Sequence, residues 1–171
     1  ANTPANFPVI TVTISANSSV SVDLTSRKEQ VESKPPNTVL NFGLYIHSNV
    51  PITAYYEESS YLNPELFTLK GNNALGKSFF IPSQSVYNNH PDLTPDAYTS
   101  FDIIASEDNT TVTINPKKPI VGHAAGVPFT VTLNKGQVYS AQATSQLAAD
   151  HLMGSKVTSD KPVSITVKDD S

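Results

Sequence analysis

One feature constrains this chain more than any other: short runs of period-two alternation, broken about every 8–12 residues by turn formers. Successive strand side chains point to opposite faces, so such runs suit half-buried strands and give no continuous apolar stripe for a helix. "VITVTI" (9–14) and "SVSVDL" (19–24) flank "SANS" and predict a hairpin. "VLNFGLYIHS" (39–48) and "PITAYYEE" (51–58) predict a second strand pair around Asn49-Val50. "ELFTL" (65–69) and "SFFIP" (78–82) read as single strands. "TSFDIIAS" (99–106) and "TTVTINP" (110–116) predict a hairpin with Glu107-Asp108-Asn109 at its tip. "VPFTVTLNKGQVYSAQA" (127–143) is the clearest hairpin pattern, Asn134-Lys135-Gly136 supplying the turn. "SKVTS" (155–159) and "PVSITVKD" (162–169) read as two closing strands.

Between these runs, 25–38 is charged, ends in prolines and reads as an exposed loop, and 83–96 reads as a long polar loop. "LAADHLM" (147–153) is the stretch with a helical turn in it. The composition agrees: 13 Pro, 20 Ser, 17 Thr and 14 Asn, with 15% charged residues, favour strands and turns over helices. The expected fold is an all-β, antiparallel sandwich of Greek-key or jelly-roll type, with a barrel or propeller-like arrangement of hairpins as the alternative.

The strand pattern also repeats. "GLYIHSNVPITAYYEES" (43–59) and "GSKVTSDKPVSITVKDD" (154–170) align without a gap, placing Gly43 on Gly154, Ser48 on Ser159 and Pro51 on Pro162. Upstream, "ITVTISANSSVSVDL" resembles "FTVTLNKGQVYSAQA" with one residue of slippage in the turn. A domain-scale duplication is expected, with 1–60 the end of a first copy packed on the rest and 61–171 a full copy. They form one compact all-β unit or two small subdomains.

Several function classes fall away on composition. Net charge is −4 and the 11 basic residues are scattered, so no electrostatic footprint for nucleic acid exists. Cysteine is absent, which removes disulfides and thiolate metal sites. No apolar run reaches membrane-spanning length, so membrane insertion is not expected. The opening "ANTPANFP" reads as a mature terminus or a cut chain.

"GNNALGKS" (71–78) satisfies the phosphate-loop pattern G-x-x-x-x-G-K-[ST]. That pattern works by leading from a buried strand into a helix whose N–H groups gather round phosphate. Here Ser78 is followed by Phe-Phe-Ile-Pro, which reads as a strand, and Pro82 would break a second helical turn. The stretch is therefore read as a turn.

His47, His90, His123 and His151 lie far apart and show no zinc-type spacing. Glu57-Glu58, Glu107-Asp108 and Asp169-Asp170 are acidic pairs at strand ends and turns. Glu107 and Asp108 in "SEDNTT" form the calcium alternative, although D-x-D-x-D-G spacing is missing. No G-x-S-x-G or paired catalytic carboxylates are present, and a serine is inert without an oriented base. No cofactor is expected. Asn17 and Asn109 begin formal N-glycosylation sequons.

"LGKSFFIP" (75–82), "FDIIASEDNTTVTINP" (101–116), "GVPFTVTLNKGQVYSAQ" (126–142) and "LMGSKVTSDKPVSITVKDDS" (152–171) occur in an order that resembles the repeated N-terminal domain of the IgGFc-binding-protein family. Leu75, Gly76 and Phe79 match its LG-x-x-[YF] segment, and Ala105, Glu107, Asp108, Asn109, Thr110, Val112 and Ile114 its E-D-N-T segment. Leu133, Gly136 and Tyr139 match its L-x-x-G-x-x-Y segment, and Gly154, Ser155, Val157, Ser159, Lys161, Pro162 and Val163 its ending. The resemblance covers about 71–171 and explains the phosphate-loop look-alike. It implies a large secreted, modular protein, mucus-associated in animals or a bacterial surface protein of Bacteroidetes type. It supplies no binding residues, and the missing cysteine departs from the animal members.

The expected function is a non-catalytic binding or adhesion module, extracellular or on the cell surface. Its loops 25–38, 83–98 and 144–152 would face a protein, mucin or glycan partner or neighbouring domains of the same chain. Tyr87, His90, Asp92 and Tyr98 in the longest loop are the expected contact residues. The alternatives are a structural spacer and an accessory domain of a glycan-processing enzyme.

Overall fold

The computed structural model describes residues 7–59 and 64–169; Asp170, of the last acidic pair, lies outside them. Its strands are β1 (Val39–Leu40), β2 (Ala54–Glu58), β3 (Glu65–Leu69), β4 (Gly76–Phe80), β5 (Ser100–Ala105), β6 (Thr110–Asn115), β7 (Phe129–Leu133), β8 (Val138–Gln142) and β9 (Lys156–Lys168). Seven of them make one antiparallel sheet in the order β1-β8-β5-β9-β6-β7, with β4 also paired to β9. That sheet is nearly closed and barrel-like, and β2 and β3 pair separately. The all-β, antiparallel expectation holds.

The pairing differs from the expected hairpins. Along β9, β5 aligns Ser100 with Lys168 through Ala105 with Val163, and β6 continues from Val112 with Ser159 to Asn115 with Lys156. β5 and β6 therefore run in one direction, end to end, as a single bent strand. β7 and β8 do the same along their other side, Phe129 opposite Ile114 and Gln142 opposite Ser100. Neither 99–116 nor 127–143 is a hairpin. Asn, Asp and Gly serve a reversal and a sharp bend equally well, since both need a tight turn or positive φ. The two expected closing strands are likewise one, with Pro162 inside it. Proline has no N–H to give to a ladder, and it falls where β9 leaves β6 and joins β5.

Before residue 65 the expectations fail in another way. Residues 9–14 and 19–24 form no ladder, although the turn between them is closed by Ser18 N–H to Ser15 O at 3.2 Å. The expected pairing of 39–48 with 51–58 is absent. Instead β1 lies on β8, with Val39 opposite Tyr139, and β2 pairs with β3. The loop 25–38 contains a 3-10 turn (Thr25–Arg27) and helix α1 (Lys28–Val31), and is partly buried. The helical turn expected in 147–153 is a 3-10 turn, Ala148–Asp150.

Core side chains come from the bent strands and the segments that close over them. Phe101 and Ile103 of β5, Val112 and Ile114 of β6, Leu133 of β7, Tyr139 of β8, and Val157 and Val163 of β9 pack with Ile81, Ile120 and Leu152. Each contributes about 1.5–3 kcal/mol of apolar transfer. Among the described residues, every buried hydrophobic residue lies between Ile81 and Val163.

Candidate functional site

Several of the motif residues that were spread along the sequence meet at one line across the sheet, where all three long strands bend. From the β5–β6 bend, Asn109 N–H donates to Asn134 Oδ1 at 3.0 Å, and Asp108 Oδ1 accepts Lys135 N–H at 3.0 Å. Gly136 N–H reaches Ala105 O at 2.9 Å. Towards β9, Ser106 Oγ donates to Pro162 O at 2.6 Å and Asp160 Oδ1 accepts Thr111 N–H at 2.8 Å. Lys161 Nζ donates to Asp108 O. Asn109 and Gly136 hold φ of 52° and 79°, the left-handed conformations the bends require.

The phosphate-loop look-alike borders this line. Gly71–Ala74 is a 3-10 turn and Gly76–Phe80 is β4, extended and paired with β9. Lys77 Nζ donates to Asp160 O at 2.7 Å, so the lysine braces the bend of β9. Glu107 and Asp108, the calcium pair, are exposed at the same line, with one Asp108 oxygen already bound to a backbone N–H. Among the described residues no group of three or more His, Asp or Glu side chains is placed to hold a metal ion.

The long loop 83–98 is built differently, from a buried base and an exposed tip. At the base, Asp169 Oδ1 accepts Asn89 Nδ2–H at 2.8 Å, and Asn89 Oδ1 accepts Thr99 N–H at 3.1 Å. Asp169 Oδ2 lies 3.2 Å from both Ser83 Oγ and His151 Nδ1. His151 Nδ1 is also 3.0 Å from Gln84 O. Both neighbours are acceptors, so Nδ1 carries the proton. Ser83, His151 and Asp169 thus share one carboxylate, with the serine facing the acid and not the imidazole. That is an anchor, since a nucleophile needs its hydroxyl on the base.

At the tip, Gln84 clamps the backbone with three bonds. Its Oε1 accepts Val86 N–H at 2.7 Å and Tyr87 N–H at 2.9 Å, and its Nε2 donates to Tyr87 O at 2.8 Å. Val86 and Tyr87 are 73% and 69% exposed. His90 and Asp92 are exposed and adjacent, Asp92 N–H donating to His90 Nδ1 at 3.2 Å. Tyr98 is half-buried at the loop's foot. Loop 144–152 packs alongside, through Asn89 N–H to Gln146 O at 2.8 Å and Ala148 N–H to Asn88 Oδ1 at 2.8 Å. Two of the three expected display loops therefore share one end.

The third, 25–38, stands at the β8 edge. There Asn37 Oδ1 accepts the Tyr139 hydroxyl at 2.6 Å and lies 3.0 Å from His123 Nε2. His123 stacks flat on Phe129, ring centroids 3.4 Å apart. Burial pushes the Tyr139 phenol up to about 12. Sequence reasoning missed Val86 at the tip and the anchor of Asn89, His151 and Asp169, because Asn89 lies 62 and 80 positions from the other two, beyond any local pattern.

The site thus sits on an all-β scaffold of barrel-like form, with an internally satisfied polar line and an anchored loop at one end. The chain belongs to the IgGFc binding protein family, whose family model matches residues 66–170. Among curated proteins and solved structures, none matches it. No helix among the described residues is long and apolar enough to cross a membrane.

Proposed function

We propose that this chain is a non-catalytic binding module of a secreted or cell-surface multidomain protein, engaging a protein or glycan partner through the tip of loop 83–98. One observation carries the reading: Val86 and Tyr87 are strongly exposed, yet their backbone is held by three bonds from Gln84. Exposed apolar area on a preorganised loop binds with little ordering cost. His90 and Asp92 give the tip a polar rim, with Tyr98 at its foot. The family's description as IgGFc binding protein points to a protein partner, and immunoglobulin Fc is the first candidate to test.

The motif line favours a second reading, a structural spacer, because its polar side chains are spent on bending the sheet. One experiment separates the two. The purified chain is tested against glycan and mucin arrays and an Fc-coated surface, alongside Val86→Ser and Tyr87→Ala variants. Binding that weakens at least about tenfold in the variants, with unchanged Tm, supports the tip. Binding that survives both changes moves the site elsewhere, and binding to none of the probes favours the spacer.

A further inference from the structure

Residues 7–80 contain no buried residue among those described, and 19 of the 24 large hydrophobic side chains left exposed lie there. Three of these apolar positions are ones the repeat pairs with core positions of the second half. Ile14, Ile46 and Ile52 are 41%, 49% and 44% exposed, while their counterparts Leu133, Val157 and Val163 are each 0% exposed.

The local geometry of the two halves agrees where the side-chain burial does not. Ser18 N–H closes on Ser15 O as Gln137 N–H closes on Asn134 O. Asn17 takes φ 57° where Gly136 takes 79°. Ser48 Oγ donates to Val50 O at 2.7 Å, and Ser159 Oγ donates to Lys161 O at the same 2.7 Å, each just before the matching proline. Both bends of the flanking strands are thus built in 9–59. What these residues lack is an equivalent of the bent strand 100–115, which in the second half lies between 129–142 and β9 and holds them together. A shallow cavity of about 250 Å³, lined by Ile46, Ser48, Ile52, Ala54, Leu69, Lys70 and Gly71, opens at the second of the two bends.

We propose that residues 9–59 are an acceptor for a bent β-strand of the 100–115 type, supplied by the first half of a like domain unit. The occupant alternates apolar and polar residues on either side of an acidic Ser-Glu-Asp-Asn-Thr bend. Its carboxylate and carbonyl fit Ala16 N–H and Asn17 N–H, as Asp108 and Ala105 fit Lys135 and Gly136. Its serine and threonine amides fit Pro51 O and the Asn49 side chain, as Ser106 and Thr111 fit Pro162 and Asp160. Docking adds main-chain hydrogen bonds and covers the exposed isoleucines, the general mode of strand addition. The proposal does not depend on the loop-tip reading.

The test uses the whole chain and a fluorescent synthetic peptide of residues 99–116. Saturable binding is expected, read by anisotropy, with amide hydrogen exchange slowed within 10–24 and 44–57. A peptide carrying Ile103→Ser and Ile114→Ser is expected to bind at least about tenfold more weakly. The chain variant Ile14→Asp with Ile52→Asp is expected to do the same, while its circular dichroism and unfolding midpoint stay unchanged. Absence of saturable binding overturns the proposal. So does protection confined to 129–142 and 156–168, which means exchange with the chain's own strand. Protection of 9–59 in a homodimer formed without peptide also overturns it, because a second whole copy then covers the surface.

Discussion

At Asn109 a single side chain decides whether the β5–β6 strand can bend. Its φ of 52° is tolerated by Asn and Gly and resisted by β-branched residues. Asn109→Val is expected to destabilise the fold by about 1–3 kcal/mol, and Asn109→Gly by little, both read by denaturant unfolding. Tyr139 makes the second residue-scale prediction. Its folded pKa is raised above the ordinary value of 10.0 to about 12 by burial. The stabilisation is therefore whole below pH 10 and is lost as pH climbs from 10 to 12, by up to about 2–3 kcal/mol. An alkaline titration of stability checks this, and Tyr139→Phe is expected to flatten the loss in that window. The Glu-Asp-Asn-Thr run was legible as turn chemistry. Its targets were not, because Asp108 reaches Lys135 and Ser106 reaches Pro162 across the sheet.

Among the elements, strand existence was more legible than strand pairing. β3 is found where "ELFTL" was read, and β5, β6, β7 and β8 fall within their expected runs. Alternation reports the pleat, and says nothing about whether a turn residue reverses the strand or bends it. Hence two bent strands read as two hairpins. The loop 83–98 shows the same limit. Its exposed tyrosine was visible in the sequence, and its anchor was not, since Asn89, His151 and Asp169 come together only through the fold. Replacing Asp169 by Ala leaves Asn89 Nδ2 and Ser83 Oγ without that acceptor. A loss of about 2–3 kcal/mol is expected, with faster amide exchange across 84–98 as the specific sign of a loosened loop.

Over the whole molecule, the two halves read alike in sequence and differ in burial. Runs 9–14 and 129–133 carry the same alternation, yet only the second lies against a central strand. The pattern of one run holds no information about its partner, so this asymmetry was illegible before the fold. With all buried hydrophobic residues among those described between Ile81 and Val163, a shortened chain of residues 65–171 is expected to fold cooperatively. It loses β1 and the Asn37 bond to Tyr139, and its Tm is expected to fall by about 5–10 °C in a thermal melt. β9 also sets how the molecule bears load. Thirteen residues long, it is paired to β5 and β6 on one side and to β4 on the other. Tension drawn along its axis must shear those rungs together instead of unzipping them singly, so the unit resists pulling from its carboxyl end as a clasp does.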